Sequence, residues 1–159
     1  MKKQIIAFTL ALLLFGLSGC SGKEETVSVD LTEVRSAMIS AQGTNEAYLL
    51  ETDALKDLYG IDAEDVQQSA SYATMAGTFP DEIVLVQAVD EKAAERVKTC
   101  LETRLEEVKV QSQTYDPENY EAAQACSVTV DGTYVALILS PQQESLQSVY
   151  GGFFAHAPN

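Results

Sequence analysis

The chain has no tryptophan, a single histidine, three cysteines and four prolines, and only 10 basic residues against 24 acidic ones. Each scarcity excludes something. A nucleic-acid binder needs Lys and Arg to displace counterions from phosphates, and a formal charge of −14 has the wrong sign. With His156 as the lone imidazole, in the Phe-Ala-His-Ala-Pro-Asn tail, His-based hydrolysis and zinc chemistry lack their usual groups. Three cysteines without a Cys-x-x-Cys give no thiolate metal site. Neither Gly-x-Ser-x-Gly nor Ser-x-x-Lys occurs, and Gly151-Gly152 lacks the Lys of a phosphate loop. Nothing in the sequence asks for a cofactor. Long apolar runs are also missing: the longest, Ile5 to Phe15, has about eleven residues, where a membrane-spanning helix needs about 20.

That run nevertheless has the proportions of a secretory h-region, and it follows Lys2 and Lys3. Leu17-Ser18-Gly19-Cys20 then reads as a bacterial lipobox. The Cys20 thiol would accept a diacylglyceryl group, and cleavage between Gly19 and Cys20 would leave it as the first residue. Small side chains at 18 and 19 suit a narrow peptidase site. Residues 1–19 are therefore expected to be a lipoprotein signal peptide and 20–25 a lipidated cysteine with a short polar tether. Such a protein is anchored on the extracytoplasmic face of the cell membrane, with lipid as the partner of Cys20. Acyl chains contribute about 0.8 kcal/mol per buried CH₂. Removing Lys2 and Lys3 leaves 8 basic residues against 24 acidic ones, a charge of −16, so the body is expected to stand off an anionic membrane surface.

Residues 26–154 read as one α+β domain, with 155–159 a tail. Asp30 with Glu33 three residues on opens a helix carrying Leu31, Val34, Met38 and Ile39. A short helix from Asp53 to Tyr59 closes at Gly60. Val66 to Met75 reads as a weak strand and Glu82 to Val89 as a stronger one. Asp90 starts a long helix to about Gln111, with Ala94, Val97, Leu101, Leu105 and Val108 on one stripe. Asp116-Pro117 begins a short helix. Asp131-Gly132 suits a type I′ hairpin turn pairing Val130 with Thr133, and so Val128 with Val135. Ser140-Pro141 opens a last helix that ends near Gly151-Gly152. The expectation is an antiparallel or mixed four-stranded sheet with helices mainly on one face, preceded by a helical N-terminal part.

Tyr59-Gly60-Ile61-Asp62, then Pro80-Asp81-Glu82-Ile83-Val84-Leu85-Val86, Asp90, Arg104-Leu105-Glu106, Tyr115-Asp116-Pro117-Glu118 and Gly132-Thr133-Tyr134-Val135 occur in that order. Over about Leu31 to Tyr150 the chain resembles the short lipoproteins of Gram-positive, clostridia-type bacteria that carry one particular domain of unknown function. The resemblance implies a surface lipoprotein with a small α+β domain. It brings no activity and no catalytic residues.

Four other features bear on function. Asp57, Asp62, Glu64 and Asp65 crowd one stretch, without the spacing of a calcium loop; acids at a helix start account for them. Asp81 and Glu82 either face a ligand or blunt a strand end. Cys100 and Cys126 could be neighbours, as a disulfide or as two small buried hydrophobes. Ile83, Leu85, Tyr134 and Ile138 share the sheet face turned away from the long helix, and that face is too apolar for water. It serves either as an interaction surface or as the seat of the N-terminal helix.

The expected function is that of a non-catalytic interaction or ligand-binding module for an unidentified protein or ligand. The alternative is an accessory subunit or inhibitor of a membrane or cell-wall enzyme complex. A carboxylate-only hydrolase is a third reading, and it would need two acids facing each other across a cleft.

Overall fold

The structure is a computed structural model, and it describes residues 28–44, 46–74 and 81–155. Cys20, Gly19, the tether and His156 lie outside these residues. Five α-helices and six strands follow in the order α1 (Leu31–Gln42), β1 (Ala47–Leu50), α2 (Ala54–Tyr59), a 3₁₀ turn (Ala63–Asp65), β2 (Val66–Ser69), β3 (Ser71–Thr74), β4 (Glu82–Ala88), α3 (Glu91–Tyr115), α4 (Pro117–Ala125), β5 (Val128–Asp131), β6 (Tyr134–Leu139) and α5 (Gln143–Phe154). Among the described residues no helix is long and apolar enough to cross a membrane.

The helix ends follow local chemistry. Asp30 accepts from Thr32 N (2.8 Å) at the start of α1, and Asp90 accepts from Ala93 N (2.7 Å) at the start of α3. Gly60 closes α2 with φ 73°, a left-handed value that disfavours side chains. Pro117 separates α3 from α4, because proline pushes the preceding Asp116 out of helical geometry (φ −147°).

All strand pairs are antiparallel, in the order β1-β3-β4-β6-β5, with β2 also pairing β4. The four expected strands become six for two reasons. The single strand expected from Val66 is divided at Ala70, whose N–H reaches Leu85 O (3.1 Å) while the Ser71 hydroxyl caps Leu85 N (3.1 Å). The other addition is β1, four residues long with no alternation to announce it. The segment before β2 is thus helix, strand and helix rather than helical throughout.

The hairpin register also differs. Asp131 pairs with Tyr134, Val130 with Val135 and Val128 with Leu137. The central turn residues are Gly132 and Thr133, and only Gly132 (φ 60°) has positive φ. That is the pattern of a type II′ turn, with glycine first, rather than type I′. The shift is by two residues, so every side chain keeps its face.

Helices cover both faces, where one was expected to carry most of them. Val84, Val86, Val135, Leu137 and Leu139 pack with Leu55 of α2 and Val97, Leu101 and Leu105 of α3. On the other face, Ile83, Leu85, Ala136 and Ile138 pack with Leu31, Val34 and Met38 of α1 and Leu146 and Tyr150 of α5. The result is three layers, α/β/α. The entry to α1 is tied down: Val29 N donates to the Tyr134 hydroxyl (2.9 Å), and Val29 O accepts from Gln68 Nε2 (3.0 Å).

Candidate functional site

The polar groups gather along one seam of α3. Its apolar stripe faces the sheet, and beside that stripe Arg96, Cys100 and Arg104 recur every fourth residue. They line the side of α3 that meets α2 and the 3₁₀ turn. At one end, Arg104 Nε donates to Glu82 Oε2 (3.0 Å) and its Nη2 donates to Oε1, a two-point contact. Glu82 is 7% exposed, because it starts β4 directly across from its strand partner Leu139, on the sheet face beneath α3. At the other end, Arg96 Nε donates to Asp65 Oδ2 (2.9 Å) and Nη2 to Oδ1. Asp65 O also accepts from Val89 N (3.0 Å). The two arginine–carboxylate pairs therefore tie α3 to the start of β4 and to the 3₁₀ turn, and Leu55 and Ile61 are buried in the core on the same side of the sheet.

These pairs set the ionisation of the seam. The Arg96 guanidinium holds the Asp65 carboxyl below its ordinary range, against a smaller opposing effect of burial. Burial pushes the Tyr59 phenol up, and the nearby Glu82 charge adds to it. Burial also raises the Cys100 thiol, with Asp62 acting in the same direction. A thiol so placed is a poor nucleophile. Cys100 Sγ lies 3.7 Å from Gly60 O.

In the middle of the seam a cleft of about 400 Å³ opens between Gly60, Ile61, Asp62, Arg96 and Cys100. Its walls are mainly apolar, and among its charges Asp62 pairs with Lys56 (2.7 Å) and Asp65 with Arg96, while Glu95 also lines it. The cleft is of a size to receive a small molecule or one inserted side chain. Among the described residues no group of three or more His, Cys, Asp or Glu could hold a metal ion.

The residues singled out in the sequence fall as follows. Ile83, Leu85, Tyr134 and Ile138 come together, but at 0, 0, 5 and 0% exposure beneath α1 and α5. The reading of an interaction face there is corrected: the chain's own first and last helices cover it. Asp81 accepts from the Thr74 hydroxyl (2.9 Å) and Gln42 Nε2 (3.0 Å), joining the sheet to α1. Cys100 and Cys126 are both free, which corrects the disulfide reading. Cys126 Sγ turns toward Ala122 O (3.2 Å) and Ser140 O (3.8 Å), away from the Gly60 carbonyl that Cys100 meets. The two arginine pairs were not anticipated. A signal existed: two of the chain's three arginines stand eight residues apart beside the apolar stripe of one helix.

A family model described as "Domain of unknown function (DUF4358)" matches residues 40–140. The chain belongs to this family. The match to DUF4358 spans all six strands and α2 to α4, and so contains the whole arginine seam. It leaves out most of α1 and all of α5, the layer that closes the second sheet face. It is also narrower than the resemblance from Leu31 to Tyr150. No curated protein and no solved structure matches the chain.

Proposed function

We propose that this protein is a lipoprotein, held through Cys20 on the extracytoplasmic face of a Gram-positive membrane, whose DUF4358 domain works by binding. The order of residues in the first twenty carries the location: two lysines, a short apolar run, then Leu17-Ser18-Gly19-Cys20. The clamp on Val29 supports a display role. Residues 21–28 span at most about 29 Å when fully extended, so the body is kept near the bilayer by the end of the sheet that carries Val29 and the β5–β6 turn.

Binding rather than catalysis is favoured by how the seam uses its charges. Arg96, Arg104, Asp65 and Glu82 are engaged in pairs that tie α3 to β4 and to the 3₁₀ turn. Burial keeps Cys100 and Tyr59 in their neutral forms. Metabolic labelling with an alkynyl fatty acid tests the anchor: it should mark the wild type and leave Cys20→Ala unmarked. Equal labelling of both would end the lipoprotein reading. Recovery of a partner from the protein's own membranes tests the binding role. A candidate partner must be lost when the domain is unfolded by Leu85→Lys.

A further inference from the structure

The geometry points to the outer edge of β1 as a docking site for an extended segment of a partner protein, with apolar residues in its middle and Lys or Arg at both ends. This rests on the binding role proposed above and names the surface and the partner's chemistry.

Among the described residues β1 pairs on one side only, with β3. Its outer backbone edge is a template for another strand. Two cross-strand rows run out to that edge. On the α1 side, Ile138, Ile83, Tyr72 and Leu49 stand opposite one another in succession. The first three are fully buried, while Leu49 at the end is 52% exposed. On the α3 side the row is Leu139, Glu82, Ala73 and Tyr48, and Tyr48 is 60% exposed. Each row would gain one apolar neighbour from an added strand. Edge strands are commonly protected by Lys, Pro or a bulge, and Ala47–Leu50 contains none of these.

The flanks decide what kind of strand fits. Glu46 and Glu51 bracket β1, both are exposed, and among the described residues neither takes part in an ion pair. A strand laid along 46–51 meets an acid, two apolar side chains at its centre, and an acid again. The complementary segment therefore reads basic–x–apolar–apolar–x–basic, and the pattern is the same in either strand direction. A second copy is disfavoured. Antiparallel self-pairing with Tyr48 opposite Leu49 sets Glu46 against Glu51 at both ends, and like charges directly opposite are destabilising.

The probe is a fluorescent capped peptide, KTVVTK, titrated into the full chain purified from membranes in nonionic detergent. KTVVTK should bind at least tenfold more tightly than ETVVTE, and backbone N-methylation of KTVVTK should abolish binding. The double change Glu46→Lys, Glu51→Lys should reverse the preference. Leu49→Lys should weaken KTVVTK at least tenfold without lowering the melting temperature, since the side chain is exposed. Equal binding of both peptides, a preference that the charge reversal leaves unchanged, or undiminished binding of the N-methylated peptide would overturn the proposal. So would wild-type self-association in sedimentation that Leu49→Lys dissolves, which would make a second copy the occupant. A membrane partner recovered equally by wild type and Leu49→Lys would remove the edge proposal while leaving the binding role standing.

Discussion

The Arg104–Glu82 pair should behave asymmetrically when it is broken. Arg104→Leu leaves a carboxylate that is 7% exposed, beneath α3 and without its partner. Removing one member of a buried pair costs about 3–5 kcal/mol. The Arg104 side chain keeps 29% of its surface in water, so the contact is partly screened and the low end, about 3 kcal/mol, applies. Glu82→Leu is milder. The guanidinium it leaves can turn to solvent and to Glu107, already 3.7 Å away, and the cost should be about 1 kcal/mol. The double leucine variant removes both charges and adds apolar volume beside Leu139, so it should lie within about 1 kcal/mol of wild type. The coupling is then about 3–5 kcal/mol, to be read from urea midpoints. With m of about 1.5–2 kcal/mol/M, Arg104→Leu should lower the midpoint by about 1.5–2 M. Equal costs for the two single changes, or strict additivity in the double, would refute the claim that Glu82 is buried and dependent on Arg104.

Leu85→Lys with Ile138→Lys places two unpartnered ammonium groups in the sealed second core; the loss should exceed a typical total stability of about 5–15 kcal/mol. Near-UV circular dichroism should show no fixed tertiary structure, and a cooperative melt like that of wild type would mean the face is open. Gly132→Val should cost about 1 kcal/mol or more and Gly132→Asn less, because no atom lies within 4 Å of an added Cβ and the penalty is one of backbone φ alone. Equal denaturation midpoints for the two variants would contradict the positive φ. For Asp65, the folded carboxyl lies below its ordinary value. Its contribution to stability is therefore full above the unfolded value of about 3.9 and is lost as the pH falls through the folded value. Asp65→Asn should be less stable than wild type at pH 7, with a gap that narrows below about pH 4; a gap that stays constant down to pH 3 would remove the Arg96–Asp65 pair as its cause.

Periodicity made the long elements legible. The stripe through Val97, Leu101 and Leu105, the caps at Asp30 and Asp90, and the alternation in β4 and β6 each announced an element and the face it buries. Because strand faces have period two, the hairpin turn could shift from Asp131-Gly132 to Gly132-Thr133 without moving any side chain to the wrong layer. What escaped was set by contacts distant in sequence. β1 is four residues whose partner, β3, begins more than twenty residues later. The break at Ala70 is fixed by Leu85. The arginine pairs join residues 22 and 31 positions apart, and no local pattern states which acid, of 24, each arginine will choose.

The scarcity of cations explains why those choices matter. In a chain at −14, an acid left in water adds to a diffuse repulsion that salt screens, whereas an acid under a helix needs a dedicated partner. The structure buries two carboxylates on the α2–α3 side, Asp65 and Glu82, and commits to them two of the three arginines. Both lie in the matched DUF4358 span, where they tie α3 to β4 and to the 3₁₀ turn, and the Arg96–Asp65 pair lines the cleft between Gly60 and Cys100. The second face is treated differently. It is closed by apolar contact with α1 and α5, mostly outside the matched span, and by the bonds from Val29 to Tyr134 and Gln68. The chain that would lead to Cys20 thus enters through the very contacts that begin to seal the second core. A pull on the chain ahead of Val29 would load α1 and, through Gln68 and Tyr134, strands β2 and β6 directly, while the arginine seam lies on the opposite face of the sheet.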